Sequence, residues 1–368
     1  MMTNAFGESN WIGTSRSRGT MNYGLETGSS AEPGRFGDVG NNIPVKLTKE
    51  ELKELSSVNS MLACLHVALE WGLVAATIYL CQRFWHPMLY LFAVAFIGSR
   101  QHALVVLMHD GVHYRLLRNR RLNDWMSEVI LAWPHLVTAR QYRKNHFAHH
   151  KYLNTPQDPD LIRRKGDPAW IFPQAVPELA RTLFRDVTGL NAPAMLKLAS
   201  SVAAADEVPT GFLVARYGFY AAVLGIVAYF GALEAFALYW IVPMFTWLVL
   251  IMRIRSIAEH HAIDEPQTAY PRTRTTHANL LERILIAPKN VNYHIEHHFF
   301  PSVPFYRLPE LHALLMSKPG YRECAHMTQT YWGVLEESVG RTPSRGDEAR
   351  DQVGTQIERI ARVAEATG

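Results

Sequence analysis

The stretch Asn290-Val-Asn-Tyr-His-Ile-Glu-His-His-Phe-Phe-Pro301 decides how the rest of the chain is organised. His294, His297 and His298 occupy positions i, i+3 and i+4, which a helix of 3.6 residues per turn places within an arc of about 100°. Neutral imidazole is the commonest side-chain ligand for metal ions in proteins. The stretch therefore predicts a short helix that presents three metal ligands on one face.

Two further histidine clusters occur earlier in the chain. His146, His149 and His150 repeat the i, i+3, i+4 spacing, and His109 and His113 form an i, i+4 pair. An all-imidazole set without cysteine favours iron, zinc or copper over soft-ligand sites. Eight such ligands exceed what a single ion accepts, so the count favours a dinuclear centre.

Four apolar runs of about 20 residues are each long enough to cross a hydrocarbon core of roughly 30 Å. They occupy residues 61–82, 88–108, 211–231 and 233–252. The fold class predicted is an all-α membrane protein with four transmembrane helices and a cytoplasmic helical cap that carries the histidine-rich site. Around the membrane domain, which spans residues 45–340, we expect a disordered N-terminal tail at 1–44 and a charged C-terminal tail at 341–368.

The distribution of basic residues predicts the orientation of these spans. The segment from 109 to 210 is rich in arginine and lysine, whereas the link between the first two spans carries only Arg83. By the positive-inside rule, the N-terminus, the central segment and the C-terminal part face the cytoplasm. All three histidine clusters then emerge on the cytoplasmic side, at the inner membrane if the organism is a bacterium. The net charge of +4 needs no nucleic-acid partner, because basic residues at a bilayer surface explain it.

Several polar residues outside the three clusters receive structural interpretations. Inside the first span, His66 and Glu70 lie four residues apart and are predicted to form an interhelical hydrogen-bonded pair. His102 lies about 10 Å deeper in the membrane than His109, measured along the helix axis. It is predicted to be a hydrogen-bonded residue within the span or part of the lining of a substrate tunnel. Residues 124–142 are too short and polar to span, and an interfacial or re-entrant helix is expected. Structural or exposed positions are assigned to His135, His277, His312 and His326.

The order His-x-x-x-His, His-x-x-His-His, His-x-x-His-His, with the first box at the end of a membrane span, resembles the integral-membrane fatty-acid desaturase and hydroxylase superfamily. The resemblance covers residues from about 60 to 320 and includes residues beside the boxes, namely Asn123-Asp124, Tyr142-Arg143, Asp158-Pro159-Asp160, Arg274-Thr275, Pro288 and Pro301-Ser302-Val303-Pro304.

This resemblance implies two iron ions in a non-haem di-iron centre. The ligands carried over from the three boxes are His109, His113, His146, His149, His150, His294, His297 and His298. A ninth ligand follows the fourth span in the superfamily, and we prefer His260, with His261 as the alternate. Arg255-Ser256 stand where relatives with longer first boxes have an asparagine. Metal-bound histidines usually donate their other N–H to a carboxylate, and the candidates are Asp110, Asp158, Asp160, Glu259 and Glu296.

The function implied by the resemblance is an oxygen-dependent desaturase that introduces a C=C double bond into a fatty acyl chain or a similar amphiphilic substrate. A hydroxylase on the same site and a desaturase of a small amino-acid-derived metabolite remain alternatives. The chain contains no haem motif, cysteine cluster or Gly-x-Gly-x-x-Gly loop. A separate electron donor, a ferredoxin or a cytochrome-b-type protein, is therefore expected, with docking near Arg163, Arg164 and Lys165.

Two proteins of other classes would also place histidines beside a bilayer. A histidine-rich membrane metal transporter needs ligands at matched depths within several spans, forming a path. Only His66, Glu70 and His102 lie within the predicted spans, against eight histidines outside them. A membrane zinc hydrolase would need fewer ligands than the three clusters supply.

Overall fold

The computed structural model describes residues 45–194, 208–263 and 273–340. Both predicted tails, 1–44 and 341–368, lie outside the described residues. Within the described part, two strands of three residues, Thr275–His277 and Met327–Gln329, pair in parallel. The other regular elements there are helices, so the predicted all-α class is confirmed.

Four helices in the described part are long and apolar enough to cross a membrane: Lys49–Arg83, Pro87–Val112, Thr210–Tyr229 and Leu233–His260. We call them the first to fourth membrane helices. The first begins with a separate short helix, Lys49–Leu55, which a capping box between Thr48 and Glu51 opens. It continues as Ser60–Arg83. The predicted four-span architecture is therefore confirmed, while the side of the membrane on which the cap lies stays a prediction.

Two membrane helices extend further than the sequence predicts. The second continues to Val112, so His109 lies in its last turn rather than after its end. The fourth continues to His260, eight residues beyond its predicted end. The sequence interpretation ended the second span before His109 and the fourth before Arg253. Here Arg253 and Arg255 pair with carboxylates within the protein and do not interrupt the helix.

Close packing of the second and fourth membrane helices depends on a glycine. A Cβ atom added at Gly98 would lie 2.8 Å from the Cβ of Trp247, which is closer than two carbon atoms pack. The indole Nε1 of Trp247 donates to Ser99 Oγ, at 3.0 Å. The third membrane helix, by contrast, has no fully buried residue, and it contacts the rest of the protein through partly buried side chains such as Phe212 and Phe219, which pack against Trp133.

The membrane-edge cap consists of short helices that follow the second and fourth membrane helices. The cap after the second membrane helix contains Arg120–Trp125, the π-helix Met126–Ala132, the 3₁₀-turn Trp133–His135, Ala139–Tyr152, Pro159–Arg164, the 3₁₀-turn Pro168–Trp170 and Val176–Val187. Beyond the fourth lie Leu280–Leu285, Pro288–Asn290, His294–Phe299, Phe305–Arg307, Leu308–Met316, Tyr321–Cys324 and Thr330–Glu337.

The sequence predicts an interfacial or re-entrant helix over 124–142, and its position relative to the membrane stays a prediction. That segment is broken into short helical pieces, because Pro134 cannot continue a regular helix and Leu136 adopts a positive φ of 62°. A separate helix then begins at Ala139. Leu131 and Trp133 of the broken segment are buried against the second membrane helix. This buried part of the segment therefore packs inside the protein beside the helix that carries the second box.

A buried ion network joins the first two membrane helices to the approach to the third box. The Glu70 carboxylate contacts Arg100 NH1 at 3.1 Å and Lys289 Nζ at 2.6 Å. Lys289 Nζ also lies 3.0 Å from His66 Nδ1. The sequence pairs His66 with Glu70, and the structure places the Lys289 ammonium between them. We call these four side chains the Glu70 network.

Candidate metal centre

The first two boxes are joined by hydrogen bonds at the end of the second membrane helix. Arg143, one turn before His146, donates to the carbonyl oxygens of Val112 (2.9 Å) and Gly111 (3.2 Å). Such contacts satisfy acceptors that a helix end leaves without an intrahelical partner. The box-two helix, Ala139–Tyr152, is thereby fixed beside His109 and His113.

The third box lies on the short helix His294–Phe299, which is held from behind by the two-stranded sheet. Thr275 Oγ1 accepts from Ile295 N at 3.3 Å, and Asn292 Nδ2 donates to Thr276 O at 2.9 Å. Thr275 Oγ1 also donates to Glu296 Oε2 at 2.6 Å. The helix therefore turns Glu296 toward the sheet and the opposite histidine face toward the other boxes.

Five histidines from all three boxes form a first cluster of buried imidazoles, in which the closest ring nitrogens lie within 4.8 Å of one another: His109, His113, His146, His150 and His297. The Nε2 atom of His146 is 2.9 Å from that of His113 and 2.9 Å from that of His150. His150 Nε2 is 3.1 Å from His297 Nε2. The predicted box residues thus converge on one point.

The remaining histidines form a second cluster that adjoins the first. His260 Nε2 lies 3.2 Å from His149 Nε2 and 2.8 Å from His294 Nε2. His298 Nε2 lies 3.0 Å from His294 Nε2. The ring of His298 stacks on that of His150 with centroids 4.3 Å apart, so the two clusters are in direct contact. All nine predicted ligands are brought together.

These nitrogen separations fit metal ligation better than hydrogen bonding. An imidazole Nε2 carries either one proton or one lone pair in the ring plane, so it can form one such bond. His146 Nε2 and His150 Nε2 each contact two other ring nitrogens. Two nitrogens at right angles around an ion, each about 2.1 Å away, are themselves about 3.0 Å apart. A cation in each cluster would use all the converging lone pairs.

Burial keeps these imidazoles in the form that binds metal. Removal from water lowers the pKa of His150 to about 3, because a charged imidazolium is costly in an apolar setting. The pKa values of His113, His146, His297 and His298 are lowered well below the usual value by burial first and by neighbouring histidines second. Each is therefore neutral near pH 7.

Two of the predicted carboxylates reach the outer nitrogens of the second cluster. Asp158 Oδ1 and Oδ2 lie 3.0 and 3.1 Å from His149 Nδ1. Glu259 Oε1 lies 3.4 Å from His294 Nδ1. A carboxylate at Nδ1 holds the proton there and leaves the Nε2 lone pair directed at the cluster.

The other predicted carboxylates have different partners. Asp110 lies 3.9 Å from His109 Nδ1 and accepts from Phe305 N at 2.8 Å. Asp160 pairs with Arg163 and lies 3.8 Å from Arg164. Hydrogen bonds to Glu296 come from Thr275 Oγ1 and from Tyr321 OH, the latter at 2.8 Å, and its carboxylate also contacts His312. Glu296 therefore braces the third box and faces away from the histidine clusters.

The structure separates the two candidates for the ninth ligand. His260 is half-buried and faces His149 and His294, as described above. His261 points away, with Nδ1 3.1 Å from Ser256 O and its ring 5.2 Å from that of Trp170. The arrangement agrees with the choice of His260.

Two further side chains, which the sequence analysis named only beside the family motifs and gave no role, lie near the clusters. Tyr142 stacks on His146 with ring centroids 5.2 Å apart. It precedes His146 by one helical turn, which is a signal that the sequence did carry. Arg255, only 6% exposed, donates from Nε to Glu259. Its burial could not be read from the sequence, because it stands near the predicted polar end of a span.

The comparisons with known proteins agree with this geometry. The fatty acid desaturase family profile matches residues 83–331. The dihydrorhizobitoxine desaturase of Bradyrhizobium elkanii is 29% identical over 306 residues, covering 79% of this chain and 85% of the relative. The matched segment contains all nine histidines of the two clusters, and four helices in the structure can cross a membrane. The chain is therefore an integral membrane protein that belongs to the fatty acid desaturase family.

Proposed function

We propose that the chain is an oxygen-dependent desaturase that introduces a C=C double bond into an aliphatic substrate at a di-iron centre. The observation that carries the proposal is the convergence of nine imidazoles from distant parts of the chain into two adjoining clusters. The family profile and the desaturase relative support the type of reaction.

The first cluster supplies five nitrogen ligands and the second supplies four, which suits one ion in each. Iron bound there would activate dioxygen. Overall, two hydrogen atoms leave adjacent carbons of the substrate, and two electrons and two protons come from outside. Dioxygen takes up all of these and becomes two molecules of water.

The side chains around the clusters hold them ready for this chemistry. Asp158 keeps the His149 proton on Nδ1, and Glu259 stands near His294 Nδ1 in the same way. His146 and His150 are 8% and 4% exposed, so bulk water has little access to the first cluster. Exclusion of water protects a reactive centre from side reactions.

An aliphatic substrate is supported by a half-open apolar pocket in the membrane domain. A cavity of about 800 Å³ lies between the first, third and fourth membrane helices, and its walls include Trp71, Phe219 and Trp240. This volume is within the range of small-molecule pockets, and the lining is mostly apolar. The relative is named for dihydrorhizobitoxine. A fatty acyl chain and a small amphiphilic metabolite are therefore the two substrates to be tested.

A hydroxylase on the same site would use the same ligands, and only the product distinguishes the two reactions. The transporter alternative is less well supported, because Glu70 is already bound by Arg100 and Lys289 and offers no free ligand along a path.

The electron donor and the sidedness complete the proposal. The basic residues of the cap favour the cytoplasmic side of the membrane. A separate ferredoxin or cytochrome-b-type donor would dock on this face. Of the three residues predicted for docking, Arg164 is engaged with Ser256 Oγ at 2.6 Å and covers the Trp170 ring. Arg163 and Lys165 are exposed and are the better positions for charge reversal.

Mass spectrometry of cells with and without the chain tests the function. Lipids and small polar metabolites are profiled together, and the proposal predicts a product two mass units lighter than its precursor. The matched control is the double variant H146A/H297A, which removes ligands from two boxes. A product sixteen mass units heavier would indicate hydroxylation, and no chain-dependent product of either kind would contradict the proposal.

A further inference from the structure

We propose that the free N–H groups of Arg255, together with the Tyr142 hydroxyl, bind a carboxylate of the substrate beside the metal clusters. The proposal rests on the proposed function, since it assigns a substrate class to the same site. It predicts that the chain acts on an aliphatic carboxylic acid with an ionised carboxylate.

Arg255 is a buried cation with most of its hydrogen-bonding capacity unused. A guanidinium has five N–H donors. The side chain is 6% exposed, and the hydrogen bond that the described part of the chain gives it runs from Nε to Glu259. Buried polar groups in proteins are nearly always paired. The four N–H bonds of its two terminal nitrogens therefore call for an acceptor that the described residues do not supply.

The groups that face Arg255 come from four elements. On its own helix, Glu259 takes the Nε donor. Its charge also acts on His102 of the second membrane helix, on Tyr142 of the box-two helix and on Tyr331 of the helix Thr330–Glu337. Glu259 is the one anion among these groups, and its other contact is with a histidine of the second cluster.

His102 strengthens the case for a ligand. It is fully buried, and its ring approaches the backbone of Ile286 without completing a well-formed hydrogen bond at either nitrogen. An unpaired buried polar group costs about 1 to 3 kcal/mol. Arg255 and His102 thus leave both donors and acceptors unused in the interior near the histidine clusters.

The shape of the guanidinium selects the ligand class. Its two terminal nitrogens present a planar fork that matches the two oxygens of a carboxylate. Arg255 contacts Glu259, and Glu259 lies 3.4 Å from His294 Nδ1. Only the Glu259 side chain therefore separates the guanidinium from a histidine of the second cluster. A carboxylate held there would place the carbons next to it, rather than the far end of a long chain, beside the clusters.

Binding of a matched pair of small ligands tests the proposal without turnover. Hexanoate and hexanamide have the same shape and differ in charge. We measure their dissociation constants calorimetrically on the purified, metal-loaded full chain at pH 7.5, without reductant. Hexanoate should bind at least about tenfold more tightly than hexanamide, because hydrogen bonds to a charged group are worth about 1.5 to 3 kcal/mol.

Three variants locate the preference. R255Q should remove it, and Y142F should reduce it while leaving Arg255 in place. R307Q is the matched control, because Arg307 is partly exposed and pairs with the exposed Glu310, and it should keep the full preference. Metal content is measured for each variant, which separates loss of the carboxylate site from loss of the clusters.

Two results would overturn the proposal. One is equal affinity of the unaltered protein for hexanoate and hexanamide, which would mean that water fills the space beside Arg255. The other is a carboxylate preference that persists in R255Q, which would place the carboxylate on the metal itself. If R255Q does not fold, Y142F and the ligand pair on the unaltered chain still decide. The desaturase function is tested in a separate experiment, by mass spectrometry of products. A failure of the proposed function can therefore be told apart from a failure of the carboxylate site.

Discussion

The Glu70 network and the histidine clusters are both buried groups of polar side chains, but only the clusters require a bound ion. The Glu70 network places one carboxylate against Arg100 and Lys289, and each charged group has an opposite charge within 3.1 Å. The histidine clusters place imidazoles with their Nε2 atoms 2.8 to 3.2 Å apart, and like atoms face like atoms. Each charge of the network is paired without a ligand, whereas the converging lone pairs of the clusters are not.

This difference separates structural polar groups from a binding site better than burial or polarity does. Both assemblies are shielded from water, and both join segments that are distant in the chain. Charges that satisfy one another hold two elements together, as Lys289 holds the approach to the third box against the first membrane helix. Lone pairs that converge without donors require a cation. The predictions below test the contrast, beginning with the largest expected effect.

Removal of a central cluster ligand should abolish activity. His150 Nε2 contacts His146 Nε2 and His297 Nε2, and its ring stacks on His298 of the second cluster. In H150A, we expect iron content to fall by at least one ion per chain and product formation to fall by at least about 100-fold. Loss of outer partners alone costs 10- to 100-fold. H326A, which alters an exposed histidine, is the control and should retain both metal and product.

Neutralising the centre of the Glu70 network should destabilise the fold and spare the metal site. E70Q leaves Arg100 and Lys289 as buried cations without a counter-charge. Breaking a buried pair in this way costs about 3 to 5 kcal/mol. Unfolding in detergent measures the free energy, and iron per folded chain should stay unchanged. E310Q, at an exposed carboxylate, is the control. Unaltered stability in E70Q would show that the network contributes nothing to folding.

Weakening one outer partner of a cluster should have an intermediate effect. In D158N the amide oxygen can still accept from His149 Nδ1, but the negative charge is lost. We expect metal affinity to fall by about 10-fold, as is typical for such partners. Competition with a chelator measures it. D167N is the control, since Asp167 caps a nearby turn without touching a histidine cluster. Equal affinities in D158N and D167N would contradict the assigned role.

An exposed ion pair should matter least. Arg307 NH1 and Glu310 Oε2 are 2.8 Å apart, but the glutamate side chain is 56% exposed. Surface pairs contribute about 0 to 1 kcal/mol. R307Q should therefore change the free energy of unfolding by less than about 1 kcal/mol, measured as for E70Q. A loss as large as that of E70Q would mean that burial is not what distinguishes the Glu70 network.

Much of the site could be predicted from local spacing. The i, i+3 and i+4 positions of the histidines fix which side chains share a helical face, and this holds wherever the helix packs. The structure places the three boxes and His260 together as the sequence predicts. That convergence requires the four membrane helices to bring all three boxes to the same side of the membrane. The four helices were predicted from hydropathy alone.

The parts that were missed depend on partners distant in the chain. Lys289 contacts Glu70 although more than 200 residues separate them in the sequence, and no local sequence pattern predicts that contact. The same holds for Glu296, which contacts Tyr321 and His312 rather than a cluster histidine. The ends of the second and fourth membrane helices were placed too early, because polar side chains such as Arg255 were assumed to be solvated when they are paired inside the protein.

The most direct test of the account is the metal content of the purified full chain, determined by elemental analysis against protein concentration. Nine converging imidazoles in two clusters predict two iron ions per chain. A single zinc ion per chain, or less than one transition-metal ion in protein that remains folded, would contradict the account.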